Sequence, residues 1–339
     1  MTSTDNEGAR REPPGPPILV TGSHRSGTTW VGRMLDLSGD TGYIHEPFLP
    51  TRSPGWIPRP LPHWFMYITE DNEDEYLGAV EGLVRFRYPL GKSLKGVRDL
   101  RHLGLQAVEM TNSIRYRRRR KRALIKDPLA LFSSEWLARR FGMEVVVMIR
   151  SPLAFVSSIK RLNWGFDYER HWLAQELLMR DLLGHRAEEF RDYEGEIDLV
   201  GEGIVMWNAI YDVVARFRER HPEWHYVIYE ELAKDPVPGF RSLYSALDLP
   251  WNEAVREGIA AHSRSDNPKE VPVGDLHAVR RDSAAAAESW RTRLSSEEIE
   301  RVSAETAEVA SLFYNESPGS SAAASQQRAS DETDLLDPQ

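Results

Sequence analysis

The chain contains no cysteine among its 339 residues. Disulfide bridges, thiolate metal sites and cysteine nucleophiles are therefore excluded, and the composition suits a reducing compartment. Long apolar runs are absent as well: the longest, Val145–Ile149, has the length of a buried strand and is far too short to span a membrane. Residues 1–17 lack the apolar core that a secretory signal needs. From these absences we expect a cytoplasmic protein without a membrane span.

Positive charge is outnumbered by negative charge. Lys and Arg number 43 against 52 Asp and Glu, a net charge of −9, which disfavours a generally basic nucleic-acid binder. The local exception is Arg115–Arg122, RYRRRRKR, which could steer an anionic donor, hold an anionic polymer or form a solvated helix. No aromatic platform accompanies this run, so nucleic acid is not an expected partner.

Large apolar residues are few at both ends of the chain. Residues 1–16 are polar and rich in proline and glycine, and residues 317–339 hold too few large apolar side chains to offset the entropy lost on ordering. We therefore predict disordered tails on either side of one folded domain, residues 17–316.

Within that domain, four short runs rich in Val and Ile have the length of buried strands. They are Ile18–Thr21, Ala123–Ile125, Val145–Ile149 and Tyr226–Tyr229. Helical spacing of apolar residues predicts helices at Thr28–Leu37, Ser133–Phe141 and Ile204–Phe217. Alternating strands and helices predict an α/β, P-loop-like fold in three layers, with a central parallel sheet flanked by helices. Ligands of such sheets bind beyond the carboxyl ends of the strands.

The most informative segment follows the first predicted strand, where Gly22–Gly27 forms a tight polar loop before a predicted helix. Backbone amides at the helix start, together with the positive end of its dipole, predict an anion site. Gly27 lets the backbone come close to a phosphate, and Thr28 and Thr29 add hydroxyl donors. Arg25 adds a cation with a planar fork of donors.

This loop has no lysine where a Walker motif requires Gly-Lys-Ser/Thr. The strand Val145–Ile149 is followed by Arg150, where a magnesium site would need an aspartate. The sequence therefore predicts a phosphate site and no metal. Two alternatives stay open: a metal-dependent kinase with a degenerate loop, and a nucleotide-binding or anion-binding protein without catalysis.

Two motifs of the chain resemble signatures of the PAPS-dependent sulfotransferase superfamily. RSGTTW at Arg25–Trp30 is similar to that superfamily's 5′-phosphosulfate loop, and MIRSPLAFVSSI at Met148–Ile159 is similar to its second, strand–helix signature. Residues 125–152 also resemble tyrosylprotein and bacterial sulfotransferases, and VIYEEL at Val227–Leu232 resembles a Tyr-Glu-x-Leu strand end. The resemblance covers most of residues 17–316.

The resemblance implies transfer of a sulfuryl group from 3′-phosphoadenosine-5′-phosphosulfate (PAPS) to a hydroxyl of a carbohydrate or glycoconjugate. The donor-binding residues that it implies are Arg25, Ser26, Gly27, Thr28, Thr29, Trp30, Arg150, Ser158 and Tyr229. Arg150 and Ser158 are expected to hold the 3′-phosphate. Arg281 is a further candidate for that phosphate, although a solvated charged turn explains it as well.

A catalytic base and a second cation follow from the same resemblance. Glu46 stands where several carbohydrate and tyrosylprotein sulfotransferases carry their general base; the alternative is a turn cap before a proline. His45 is the rival base. Lys126 matches a lysine that is catalytic in tyrosylprotein sulfotransferases, and a surface ion pair with Asp127 is its alternative. Arg25 is expected to serve the bridging oxygen of the donor.

The acceptor side has no motif. Residues 51–115 depart from the strand–helix rhythm and are predicted to be an insertion on that side. Four aromatic residues there could form a stacking wall for a sugar or an aromatic acceptor, or pack in the core. They are Trp56, Trp64, Phe65 and Tyr67. The identity of the acceptor and the oligomeric state do not follow from the sequence.

Overall fold

A computed structural model describes residues 15–52, 55–93, 100–192, 198–264, 266–268 and 282–314. The strands are β1 Ile18–Gly22, β2 Thr41–His45, β3 Arg122–Lys126, β4 Glu144–Ile149 and β5 His225–Ile228. The helices are α1 Thr28–Asp36, α2 Leu77–Val84, α3 Leu90–Ser93, α4 Leu100–Arg118, α5 Ser134–Phe141, α6 Pro152–Leu162, α7 Glu176–Leu178, α8 Ala187–Asp192, α9 Leu199–Arg220, α10 Tyr229–Lys234, α11 Pro236–Ala246, α12 Glu253–Ser263, α13 Ser283–Glu288, α14 Ser296–Glu305 and α15 Ala307–Ser311. Arg281 and most of the two predicted tails lie outside the described residues.

The five strands form one parallel sheet in the order β2-β3-β1-β4-β5. Alternate residues of each strand face opposite sides, as strand geometry requires. In β1, Ile18 and Val20 pack in one core cluster with α1, α10, α11 and α12, whereas Leu19 packs in the other with α5, α6, α9 and α14. The predicted α/β fold of three layers is therefore confirmed.

Three predicted strands appear where expected, as β1, β3 and β4. The fourth run gives β5, which ends at Ile228, so Tyr229 opens α10 instead of closing a strand. The strand β2, TGYIH, was not predicted. It carries a glycine and a histidine, and it lies at the edge of the sheet, where one neighbour, β3, is enough to hold it.

Because all strands run the same way, their last residues meet at one edge of the sheet, which we call the carboxyl edge. Gly22 of β1, His45 of β2, Lys126 of β3 and Ile149 of β4 end there. The opposite, amino edge carries the first residue of each strand, including Arg122 of β3. About 3.3 Å per residue separates the two ends of a strand, so Arg122 and Lys126 lie roughly 13 Å apart.

Residues between β2 and β3 supply α2, α3 and α4 and several aromatic side chains. Trp56, Phe65 and Tyr67 are buried in the core cluster, and Trp64 is half-buried against it. Packing therefore accounts for three of the four aromatic residues of the expected stacking wall. The assignment of residues 51–115 to the acceptor side stays a prediction.

Candidate active site

The loop that follows β1 is shaped by three residues in the left-handed backbone region. Gly22 has φ 139°, Arg25 has φ 65° and Gly27 has φ 97°. The last of these sits at the N-cap of α1, where no side chain caps the helix. The first-turn amides of α1 therefore remain available to an anion, which the positive end of the helix dipole also favours.

Tyr229 closes this loop from above. A Cβ atom at Gly27 would lie 2.4 Å from a ring carbon of Tyr229, so only glycine fits under the ring. The guanidinium carbon of Arg150 lies 3.7 Å from the centroid of the same ring. Tyr229 thus joins the loop after β1 to the residue after β4.

A direct hydrogen bond also connects the two predicted phosphate motifs. Arg25 donates its Nε to the hydroxyl of Ser158 on α6 at 3.1 Å. Ser158 lies on the helix that follows Arg150, and both residues are buried. The cation of the loop and the hydroxyl assigned to the 3′-phosphate are therefore neighbours across 133 residues of sequence.

Helix α9 fixes this arrangement from behind. The hydroxyl of Tyr211 lies 2.8 Å from the Ser23 hydroxyl and accepts the backbone N–H of Arg150 at 2.8 Å. Trp207, one turn earlier, donates its indole N–H to the carbonyl of Arg150 at 2.9 Å. Burial raises the pKa of Tyr211, so the phenol stays protonated and can donate and accept at once. No sequence motif pointed to either residue.

Arg150 is buried and already has protein partners. It donates to the carbonyl of Ala286 on α13 at 2.9 Å, and its Nε lies 3.3 Å from a carboxylate oxygen of Glu230. That Nε does not reach hydrogen-bond geometry with any described residue. Glu230 also accepts from the backbone N–H of Ser151 at 3.2 Å and from the Tyr314 hydroxyl at 3.3 Å. Arg150 is thus a buried cation without a full set of hydrogen bonds, and Tyr229 connects it to the loop before the uncapped helix α1. Such a cation fits an anionic ligand.

Glu46 and Lys126 form an ion pair at the carboxyl edge. Lys126 is fully buried, whereas the Glu46 side chain keeps 16% of its surface exposed. The backbone N–H of Glu46 donates to the Lys126 carbonyl at 2.8 Å, and Glu46 has φ 47°, so it turns out of the sheet just after β2. A Cβ at Gly32 of α1 would lie 3.1 Å from the Lys126 side chain, which therefore passes under the second turn of the helix.

Asp127 does not pair with Lys126 at the surface, as the alternative interpretation of that lysine required. Its carboxylate is buried and accepts the backbone N–H groups of Phe48 at 2.5 Å and Leu129 at 2.9 Å. Burial, and then the nearby charge of Glu46, raise the pKa of Asp127 to about 7. Asp127 therefore holds the turn after β2 in place beside Glu46.

The rival base lies next to Glu46. The Nε2 atom of His45 is 3.8 Å from the second carboxylate oxygen of Glu46, and its Nδ1 is 3.1 Å from the Tyr43 hydroxyl. Both His45 and Glu46 thus stand at the end of β2. The turn at φ 47° carries the Glu46 carboxylate to Lys126, whereas His45 faces Tyr43.

His24 lies inside the candidate site, and the sequence analysis did not single it out. It lies in the loop between Ser23 and Arg25, packed against the rings of Phe65, Phe155 and Trp164 at centroid distances of 5.8, 5.1 and 5.9 Å. Its Nδ1 has no hydrogen-bond partner in the described part of the chain. Burial, and to a lesser extent Arg25, lower its pKa to about 3, so the ring is neutral at physiological pH. The position of a histidine inside the predicted anion loop could have drawn attention to it.

The remaining predicted residues occupy different positions relative to the loop. Ser26 donates to the Ser23 carbonyl at 2.5 Å and so closes the loop, while Thr28 is buried and Thr29 half-buried in the first turn of α1. Trp30 lies behind the loop, with its ring 5.5 Å from Tyr229 and 5.1 Å from Phe240. Trp30 therefore supports Tyr229 from the core.

The basic run Arg115–Arg122 divides into two parts. The arginines at positions 115, 117, 118, 119 and 120 are exposed, at the end of α4 and in the turn after it. Lys121 donates to the Gly39 carbonyl, and Arg122 is buried and pairs with Glu144. The run ends at the amino edge of the sheet, away from the loop after β1.

Within the described ranges, no group of three or more His, Asp or Glu side chains is arranged to hold a metal ion. Across the same residues, no helix has both the length and the apolar character needed to cross a membrane.

Comparison with known proteins gives a consistent result. The model of the Sulfotransferase family matches residues 16–253. A curated relative, carbohydrate sulfotransferase 1 of Danio rerio, is 27% identical over 203 residues, which are 58% of this chain and 40% of that protein. The chain thus spans less than half the length of this relative.

Two solved structures are similar in sequence only at a low level. The sulfotransferase domain of the Synechococcus PCC 7002 olefin synthase is 16% identical with a TM-score of 0.44, over 88% of this chain and 94% of that one. The sulfotransferase domain from the curacin biosynthetic pathway is 17% identical with a TM-score of 0.43, over 87% and 98%.

Proposed function

Because the chain belongs to the sulfotransferase family, we propose that it transfers the sulfuryl group of PAPS to a hydroxyl of a carbohydrate or glycoconjugate. The observation that carries the proposal is the contact between Arg25 and Ser158, which brings the loop after β1 together with the helix after Arg150. One anion site at a helix start and a second one at a strand end suit a nucleotide with phosphates on two carbons.

In this proposal the amides of Thr28 and Thr29 and the Arg25 side chain bind the 5′-phosphosulfate. Arg150 and Ser158 bind the 3′-phosphate, and the Tyr229 ring holds Gly27 and Arg150 in register. For a donor that is already activated, alignment and charge stabilisation supply most of the catalysis. The burial of Ser158 and Arg150 supplies a fixed, poorly hydrated environment for both.

Glu46 is the proposed general base. Its carboxylate accepts the proton of the acceptor hydroxyl while that oxygen bonds to sulfur and the bond from sulfur to the bridging phosphate oxygen breaks. As Glu46 takes up the proton, its attraction for Lys126 weakens. The ammonium charge then becomes available to the phosphate that leaves, at the moment when negative charge builds up there. The ion pair thus couples the base to the cation.

The carbohydrate class of the acceptor is supported by the name of the Danio rerio relative and by no contact within this chain. The kinase alternative is not favoured, because the matching family is a sulfotransferase family and Arg150 occupies the position of a metal-holding aspartate. The alternative of a binding protein without catalysis does not account for an ion pair of Glu46 and Lys126 beside the loop.

Calorimetric titration with 3′,5′-adenosine bisphosphate in EDTA tests the donor site. We expect tight binding without metal by the wild-type protein, and at least tenfold weaker binding by Arg150→Ala, since a charged hydrogen bond to phosphate is lost. Magnesium ATP serves as the comparison ligand. Binding of magnesium ATP alone would refute the donor assignment and favour the kinase alternative.

Single-turnover transfer from radiolabelled PAPS to a panel of mono- and oligosaccharides tests the base. We expect Glu46→Gln to lower the rate 10²- to 10⁴-fold without weakening the bisphosphate. His45→Gln, at the neighbouring position, is the matched control and should keep most of the rate. The opposite pattern would make His45 the base, and full activity in both variants would exclude both residues as the base.

A further inference from the structure

The first half of helix α4 has an unusual polarity for a helix on a protein surface. It buries Gln106 and Ser113, and the Ser113 hydroxyl donates to the Phe86 carbonyl at 2.9 Å. On the solvent side Leu105 and Val108 expose 56% and 58% of their surface. A surface helix normally turns its apolar stripe to the core, so the exposed apolar residues of α4 need another explanation.

The exposed residues of α4 form one continuous surface, which we call the α4 face. From position 103 onward they are Leu103, Gly104, Leu105, Ala107, Val108, Thr111, Arg115, Arg117 and Arg118. None of them is acidic. The first half of the face is apolar and the second half is cationic, and Arg119 and Arg120 continue the positive charge into the following turn.

The apolar residues on this face are concentrated and not scattered. Among the large apolar side chains that are exposed in the described residues, three of six lie on α4: Leu103, Leu105 and Val108. A shallow groove follows, lined by Thr111, Ile114 and the arginines at positions 115, 118 and 119. Apolar side chains and guanidinium groups thus share one helical surface.

We propose that the α4 face binds the surface of a bilayer rich in anionic phospholipid. Apolar side chains of an amphipathic helix enter the boundary between headgroups and acyl chains, while arginines pair with lipid phosphates. Both halves of the face then have a partner. A sulfated or otherwise anionic polysaccharide would engage the arginines and leave the leucines in water, so its chemistry fits only half of the surface.

The overall charge of the protein sharpens the inference. A chain with a net charge of −9 is repelled as a whole by an anionic membrane, so attraction has to come from a local cationic surface. The end of α4 is such a surface, since its arginines are exposed and the one acidic residue of the helix, Glu109, is half-buried. The basic run ends at the amino edge of the sheet, whereas Glu46 and Lys126 lie at the carboxyl edge. Binding through the arginines of α4 therefore leaves the candidate active site outside the contact.

Co-sedimentation of the full chain with vesicles tests this proposal without any measurement of sulfuryl transfer. The vesicles contain phosphatidylcholine alone, or phosphatidylcholine with 30 mol% phosphatidylglycerol. We expect the wild-type protein to bind only the anionic vesicles. Arg115→Gln/Arg118→Gln should lower the partition coefficient roughly 30-fold, and Leu105→Ser/Val108→Ser about tenfold or more.

The chain offers matched controls. Arg191→Gln/Arg241→Gln removes two exposed arginines from α8 and α11, and Leu312→Ser removes a leucine that is 51% exposed elsewhere. Both control proteins should bind vesicles like the wild type. Circular dichroism and bisphosphate affinity confirm that each variant is folded, so a loss of vesicle binding is not a loss of structure.

Four outcomes would overturn the proposal. The first is that the wild type binds neither kind of vesicle, and the second is that the control pair loses binding as much as the α4 pair. The third is that heparin competes fully and only the arginine variants lose binding, which would indicate a site for an anionic polysaccharide. The fourth is that Leu105→Ser/Val108→Ser halves the mass in sedimentation velocity and leaves vesicle binding intact, which would make the face an interface between two copies.

Discussion

Each edge of the sheet buries a cation of β3, but the two cations have different partners. At the amino edge, Arg122 donates to the backbone carbonyls of Pro16 and Leu247 and pairs with Glu144. At the carboxyl edge, Lys126 pairs with Glu46, whose side chain is partly exposed beside an uncapped helix. Glu144 is in fact more exposed than Glu46, so the difference lies elsewhere. Two backbone carbonyls fix Arg122 for the fold, whereas the pair of Glu46 and Lys126 lies under α1, where it can respond to a ligand.

Removal of the cation at the carboxyl edge should give the largest effect on activity. In Lys126→Met the side-chain volume is kept and the charge near the leaving phosphate is lost. We expect kcat to fall 10²- to 10³-fold, as for other groups that stabilise charge in a transition state. Single-turnover rates with saturating PAPS measure this loss. A kcat within threefold of wild type would show that Lys126 has the same structural role as Arg122.

The same substitution at the amino edge should affect stability instead. Arg122→Met leaves two carbonyls and Glu144 without their donor, which should lower the free energy of unfolding by roughly 3 kcal/mol. Chemical denaturation at pH 7.5 measures the change. The kcat per folded molecule should stay close to the wild-type value at 15 °C. A large loss of kcat at that temperature would show that Arg122 affects catalysis as well as stability.

The third expected effect is a pH dependence of stability that arises at the carboxyl edge, from His24 in the loop after β1. Burial lowers the pKa of His24 to about 3, below its value near 6.5 in the unfolded chain. The unfolded chain therefore binds the proton first, and this contribution to stability is present above pH 6.5 and lost as the pH falls towards 3. Between pH 7.5 and pH 5 the loss is about 2 kcal/mol. Denaturation of His24→Phe at both pH values should show a pH dependence weaker by that amount; an unchanged dependence would contradict the assignment.

The smallest expected effect concerns Glu230, the carboxylate partner of Arg150, which is the proposed ligand of the donor's 3′-phosphate. Glu230→Gln removes the carboxylate 3.3 Å from the Arg150 Nε and should strengthen binding of 3′,5′-adenosine bisphosphate about fivefold. Adenosine 5′-monophosphate has no 3′-phosphate, and its affinity should not change. Equal gains for both ligands would mean that Glu230 acts on the site as a whole and not through Arg150.

Much of the fold was accessible from the sequence because aliphatic runs and helical spacing are local signals. The helix predicted at Ser133–Phe141 is α5, Ser134–Phe141, and the one predicted at Ile204–Phe217 lies within α9, Leu199–Arg220. The strand order is not a local signal. The edge strand β2 also escaped prediction, because a strand paired on one side can dispense with a continuous aliphatic run.

The site divides in the same way. Arg25, Ser158 and Arg150 could be proposed because their motifs are short. The structure joins Arg25 to Ser158 by a hydrogen bond and Arg150 to the loop through Tyr229. Tyr211 could not be found, since its role arises only when α9 packs against two loops that are distant in sequence. Glu230 could have been predicted. It follows Tyr229 in the motif VIYEEL, and an acidic residue there indicates a partner for a nearby arginine.

The hydroxyl of Tyr211 has a consequence for which nucleotides the protein can accept. It touches both Ser23 and the backbone of Arg150, so the spacing between the two proposed phosphate positions is set by one rigid helix before any ligand arrives. Such a spacing selects ligands by the distance between their phosphates. A nucleotide with phosphates on both its 3′ and 5′ carbons can occupy both proposed phosphate positions, whereas ATP, with all three phosphates on one carbon, can occupy only one of them. In the proposed site, a nucleotide without a 3′-phosphate leaves Arg150 and Ser158 without a ligand, so the spacing adds to the charge of Arg150 in the choice between nucleotides.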